Sequence, residues 1–263
     1  MQKVIEEKLK EIEQREKVRI LHCVESGSRA WGFASPDSDY DVRFVYVRTV
    51  QDYLRLDRSR DVIQWQLDDT LDINGWDLKK LLQLLHKSNP TVFEWDCSPI
   101  VYKTTEGWEK LRPLINEAFM ARHGLYHYLS MAEGNYREYL RGDTVRLKKY
   151  FYVLRPLLAC RWILKHGTPP PMAFDSLAAD SLPPELMPEV ERLLAMKRAS
   201  SEMAGGARVQ KLNDYIEEGV DQIHSAIDAL PADEPVSWEK LNEMFIGLVG
   251  EYAPQRIQFK AAD

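Results

Sequence analysis

Up to about Thr105 the apolar residues alternate or come in short blocks; beyond it they recur at helical spacing over long stretches. The run 18–24 is short and largely apolar, the pattern of a buried strand, and 40–47 reads as a second one. Further strands are predicted over 60–67 and 70–75. In the last, Leu71 and Ile73 face one way while Thr70, Asp72 and Asn74 face the other. A two-residue reversal at Asp68-Asp69 would put Trp65 on the face of Asp72, so either the connection has another length or a bulge re-aims the strand. Helices are predicted over 2–17, 50–56 and 78–86, the last with an apolar stripe at 78, 81, 82 and 85. Ser88-Asn89-Pro90 ends that helix, and 91–95 opens another.

The later half reads as helices over 106–115, 117–141, 144–166, 185–204, 209–230 and 238–252. Pro156 is expected to kink the third of these. The proline-rich 167–184 reads as a loop with at most one helical turn, and 253–263 as a frayed end. The expected fold class is α+β: a small mixed twisted sheet with helices on one face in residues 1–104, and an α-helical domain in 105–263 closing a cleft.

Between the first two strands lies the stretch that carries chemistry. Gly27-Ser28 breaks the apolar run, Gly32 follows, and Ser35-Pro36-Asp37-Ser38 reads as a turn. Asp39 and Asp41 then share a strand face. Two carboxylates held that close repel each other, and a hard cation relieves the repulsion; magnesium favours carboxylates combined with substrate phosphates. Gly27 allows close backbone approach to a ligand, and Ser28 offers a hydroxyl and an N–H to phosphate oxygens. A calcium loop beginning at Asp37 is excluded, because Val42 and Arg48 stand where it needs Gly and Glu. A P-loop is excluded too, since no Gly-Lys-Ser/Thr follows the glycines.

These residues resemble the signature of the DNA polymerase beta nucleotidyltransferase superfamily. The string from Gly27 to Phe44 is similar to one branch of it, the RNA repair pathway DNA polymerase beta family. The likeness continues through Asn74-Gly75-Trp76-Asp77-Leu78-Lys79-Lys80, through Ser88-Asn89-Pro90 with Glu94-Trp95, and through 148–156. The resemblance implies a nucleotidyltransferase sheet, a third carboxylate, magnesium or manganese as cofactor, and a nucleoside triphosphate such as ATP as substrate. It also implies transfer of a nucleoside monophosphate to a hydroxyl with release of pyrophosphate, an RNA end being the acceptor that the family's name indicates. Asp72 is the candidate third carboxylate beside Asp39 and Asp41. Asp77 is its rival, although before Leu78 it reads more simply as a helix N-cap. Two other functions stay open: AMP transfer to a protein side-chain hydroxyl, and a nucleotide sensor without catalysis.

Cations for the phosphates are sought on the helix from Thr144, where Lys148, Tyr152 and Arg155 fall at i, i+4 and i+7. Arg29 and Arg43 lie beside the glycine turn, either as phosphate ligands or as partners of Asp39 and Asp41. His123 and His127 have a zinc-compatible spacing but no intervening Glu and no further ligand, so packing is the expected role.

Composition changes this picture little. A net charge of −6 over 263 residues argues against a basic coat for duplex DNA but leaves room for a local basic groove. Cys23, Cys97 and Cys160 are odd in number and far apart, which speaks against a disulfide scaffold or a zinc site. The N-terminus is charged rather than signal-like, and no apolar run reaches a membrane span, so a cytoplasmic protein is expected.

Overall fold

A computed structural model describes residues 1–57, 59–68, 70–199 and 205–255. The chain opens with helix α1 (Gln2–Glu16) and strand β1 (Arg19–Glu25), then the single turn α2 (Gly27–Ala30) and strand β2 (Tyr40–Val47). A short α3 (Val50–Tyr53), strands β3 (Val62–Leu67) and β4 (Leu71–Asp77), helices α4 (Leu78–His86) and α5 (Pro90–Asp96), and strand β5 (Val101–Thr104) complete the first part. The strands form one mixed five-stranded sheet in the order β3-β4-β2-β1-β5. Only β2 and β4 pair in parallel, in a register that sets Asp41 opposite Asp72.

The difficulty at Trp65 is resolved by a bulge. Gln64 pairs with Asn74 but Gln66 pairs with Ile73, so Trp65 is the extra residue. Its ring packs with the α1 side of the sheet, away from Asp72, with the Arg15 guanidinium over it.

Local chemistry explains the helix ends. The four predicted leucines of α4 are all buried, and Asp77 caps the helix by accepting from the Lys79 N–H. Asn89 caps α5, with Pro90 at its first position. Lys17, with φ 54°, closes α1, and Gly167, with φ 65°, closes the long helix before it.

The remaining elements are α6 (Glu106–Glu117), α7 (Ala121–Tyr139), β6 (Thr144–Arg146), α8 (Tyr150–His166), α9 (Phe174–Ser181), α10 (Met187–Ala199), β7 (Gly205–Ala207), α11 (Gln210–Asp228) and α12 (Trp238–Tyr252). Two local expectations are corrected here. Residues 144–149 are not α-helical: β6 pairs with β7, and 147–149 form a 3-10 turn before α8 begins. The 167–184 stretch contains α9, whose Phe174 and Leu177 are buried, so apolar anchors outweigh the proline-rich flanks.

Helices also cover both faces of the sheet, not one. Ile5, Leu9 and Ile12 of α1 pack on Ile20, Cys23, Val42, Phe44 and Ile73. On the opposite face Leu21, Val24, Val45 and Val47 lie under α4, α5, α6 and the returning α12. A third apolar cluster joins α7, α8, α9, α10 and α11, and Phe33, from the segment after α2, is buried within it. Among the described residues no helix is long and apolar enough to cross a membrane.

Candidate active site

The site is built where β1, α2 and β2 meet. Glu25 ends β1 fully buried; its carboxylate accepts from the Tyr102 hydroxyl and, at 2.8 Å, from the Asp41 N–H. Burial raises its pKa, while those two hydrogen bonds work in the opposite direction. The Ser26 N–H donates to the Asp41 carbonyl, so both backbone groups of Asp41 are held. Gly27 follows at φ 58°, and a Cβ there would lie 2.0 Å from Asp41 Oδ2. The missing side chain therefore makes room for the protein's own carboxylate, not only for a ligand.

The turn after α2 is fixed from within. Ser38 Oγ accepts from the Ser35 N–H at 2.9 Å, and the Arg29 guanidinium donates to the carbonyls of Ser38 and Asp39 while lying 3.7 Å over the Tyr40 ring. Arg29 is thus a clamp on the loop that presents Asp39; it does not line the pocket.

That pocket has a volume of about 320 Å³. Gly27, Ser28, Asp39 and Asp41 line it from the sheet side, Ser35, Asp37 and Ser38 from the turn, and Lys148, Tyr152 and Lys197 from the helical half, with Trp31 between. The Tyr152 phenol, in the same pocket as Asp41 and Asp39, is pushed up by burial and then by their charges. The Asp41 carboxyl is itself raised, first by burial and then by Asp72 and Asp39, against the pull of Arg43.

Asp72 stands next to Asp41 across the parallel ladder, on the same face. One nitrogen of Arg43 touches both: Nη2 lies 3.0 Å from Asp41 Oδ1 and 2.6 Å from Asp72 Oδ2. Asp77 pairs with Tyr46 instead, five residues along the ladder, roughly 16 Å from the Asp41–Asp72 pair. It is buried, caps α4 and accepts from the Tyr53 hydroxyl.

These positions decide how a divalent cation fits. Among the described residues no three acidic, His or Cys side chains converge as a metal-binding group. The Arg43 guanidinium bridges Asp41 and Asp72. Asp39 and Asp41 alone do suit a hard cation, since magnesium is commonly held by one or two carboxylates completed by substrate phosphates.

Arg155, the third member of the expected phosphate stripe, lies outside the pocket. It is 2% exposed, donates to Glu94 at 3.0 Å and to the Met172 carbonyl, and lies over the Trp31 ring. Burial on nearly every side of α8 turns it inward, where it joins α8 to α5. Lys149 lies over the rings of Tyr139 and Tyr152. His123 pairs with Asp233, and His127 packs edge-on to Tyr128.

Sequence reasoning misses Glu25 and Lys197. Glu25 leaves one trace, a lone acid closing an apolar strand; Lys197 looks like any charged residue of a surface helix. A larger cavity, about 610 Å³, opens beside Asp77, Arg60 and Lys80, but Lys80 is paired with Asp61 and Arg55 with Asp57. Volume alone does not locate the chemistry; the convergent carboxylates and lysines do.

The uncharacterized protein YcgL of Bacillus subtilis (strain 168) is 47% identical over 252 residues, which span 95% of this chain and 96% of that protein. The crystal structure of a nucleotidyltransferase-like protein from Exiguobacterium sibiricum 255-15 aligns over 94% of this chain and 88% of its own. It does so at 10% identity and a TM-score of 0.29, a score at which the two folds are not shown to correspond. The model of the RNA repair pathway DNA polymerase beta family matches residues 1–247. Nearly the whole chain is thus accounted for, and the protein belongs to the RNA repair pathway DNA polymerase beta family.

Proposed function

We propose that this protein transfers a nucleoside monophosphate from a nucleoside triphosphate to a hydroxyl acceptor and releases pyrophosphate. One observation carries the reading: Asp39 and Asp41 share a single pocket with the Gly27-Ser28 turn and with Lys148 and Tyr152 of the helical half. Asp39 and Asp41 would hold magnesium or manganese. A divalent cation there supplies positive charge to the α-phosphate and to the leaving pyrophosphate.

The chain's own groups do the positioning. The amide and hydroxyl of Ser28 face the outer phosphates, Lys148 adds a charge, and Tyr152 offers a ring for the base or ribose. Glu25 fixes the Asp41 backbone through the 2.8 Å bond to its N–H. Asp72 is the carboxylate on the acceptor side, and an incoming hydroxyl must compete with Arg43 for Asp72 Oδ2. An RNA end as acceptor rests on the family's description. The Arg43 contacts to Asp41 and Asp72 are the observation that favours a second reading, a nucleotide sensor without catalysis.

The test offers nucleotides labelled at the α-phosphate, with magnesium, to RNA and separately to lysate protein. Label is expected on RNA, and Asp41→Asn or Asp39→Asn should abolish its transfer while leaving the melting temperature close to wild type. Label on protein would make the activity protein nucleotidylation, and nucleotide binding without label on either would leave the sensor.

A further inference from the structure

Lys197 is left without a role by the account so far. It belongs to α10, in the helical half, yet its side chain lines the pocket and is only 5% exposed. Its amine donates to the Phe33 carbonyl at 2.8 Å and lies 4.8 Å from the centre of the Phe33 ring. A lysine amine has three N–H donors, and the Phe33 carbonyl engages one. Among the described residues Lys197 makes no ion pair, and neither does Lys148 in the same wall. An enclosed ammonium without an anion is costly, because burial strips its hydration. Its pKa is accordingly lowered, by burial first and then by Lys148. The pocket thus combines the carboxylates of Asp37, Asp39 and Asp41 with two ammonium groups that make no ion pair among the described residues.

We propose that Lys197 is a phosphate ligand: with Lys148 it takes the terminal phosphates of a nucleoside triphosphate, and the Phe33 carbonyl holds its amine in position. This rests on the nucleotide reading above and extends it. The ligand class follows from the chemistry, since two lysines beside a carboxylate pair match a chain of phosphates whose other end is bridged to those acids by a cation. The competing role is a strut. Lys197 and its neighbour Arg198, which donates to the Gly32 carbonyl, both grip the segment after α2.

Lys197→Gln separates the two roles, because it keeps an N–H donor for the Phe33 carbonyl and loses the charge. Calorimetric titrations with ATP, AMP and inorganic tripolyphosphate, each with magnesium, give the readout. Lys197→Gln is expected to weaken ATP and tripolyphosphate roughly ten- to a hundredfold, with AMP changed less than about twofold and little loss of melting temperature. Lys165→Ala, whose side chain pairs with Asp180 on the surface, should change none of these. If Lys197→Gln melts early, Lys197→Met keeps the stem against the Phe33 ring and takes its place. Equal loss for ATP and AMP, or no loss for either, would make Lys197 a strut and overturn the proposal. Wild-type protein that binds AMP but neither polyphosphate would do the same, whereas failure to bind any of the three would sink the nucleotide reading itself.

Discussion

The Asp77 carboxylate is buried at the junction of β4 and α4, accepting from Lys79 and Tyr53 with Arg48 Nε 3.7 Å away. Burial nonetheless pushes its pKa from the ordinary 3.8 up to about 6. The folded chain therefore holds this proton more tightly than the unfolded one. The stability it contributes is complete below about pH 4 and is lost as pH rises through about 6. Asp77→Asn keeps the cap, since Asn accepts as Asp does, and removes the titration. Unfolding free energies from urea titrations between pH 4 and 7 should fall less steeply for the variant, by up to ~3 kcal/mol across the range. A profile parallel to wild type would mean Asp77 stays ionised throughout. Asp41 is raised as well, but there the charges of Asp72 and Asp39 add to burial, against the pull of Arg43.

At the scale of elements, α8 shows how packing overrides a helical-wheel argument. The stripe of Lys148, Tyr152 and Arg155 assumes one continuous α-helix from Thr144. Lys148 instead sits on a 3-10 turn, where successive residues advance by a different angle, and the helix proper is buried almost all round. Arg155 is consumed by Glu94 and the Met172 carbonyl, so its loss should cost stability and not affinity. Arg155→Met leaves the half-buried Glu94 with only the Tyr128 hydroxyl and is expected to destabilise by ~1–3 kcal/mol. Adding Glu94→Gln should recover part of that, as read by denaturant unfolding. An Arg155→Met protein of wild-type stability but weakened ATP binding would return the residue to the nucleotide site.

At the scale of the molecule, the sheet is completed by the chain's return. Leu241 and Leu248 of α12 share a cluster with Leu78, Leu85 and Trp108, although more than a hundred residues of chain intervene. The apolar clusters therefore do not divide at residue 104: α6 and α12 complete the core beneath the sheet. Leu241, 2% exposed, should cost ~2–5 kcal/mol when cut to Ala. Unfolding followed by tryptophan fluorescence would measure it, since Trp95 and Trp108 report from the same cluster. A change below ~0.5 kcal/mol would mean that α12 is only loosely docked.

Periodicity and capping act within a few residues of each other, so α4 and α12 are legible from their leucines and caps alone. The Gly27-Ser28 turn and the Asp39/Asp41 pair are legible for the same reason, although Asp39 stands one residue before β2 rather than on it. Asp72 reads as polar on a strand, but its place beside Asp41 depends on a parallel pairing and a bulge at Trp65 that no local pattern specifies. The cations were settled only by tertiary contacts. Arg155 looks like a phosphate ligand in the chain, and Arg29 and Arg43 read either as such or as partners of Asp39 and Asp41. The fold gives Arg29 the Ser38 and Asp39 carbonyls, Arg43 the Asp41 and Asp72 carboxylates, and Arg155 Glu94 with the Met172 carbonyl. Lys197 reads as ordinary surface, yet the packing of α10 against the Phe33 segment turns it into the pocket. A charged side chain's role is set by which opposite charge or carbonyl the fold brings within about 3 Å, and that choice lies beyond the reach of sequence neighbours.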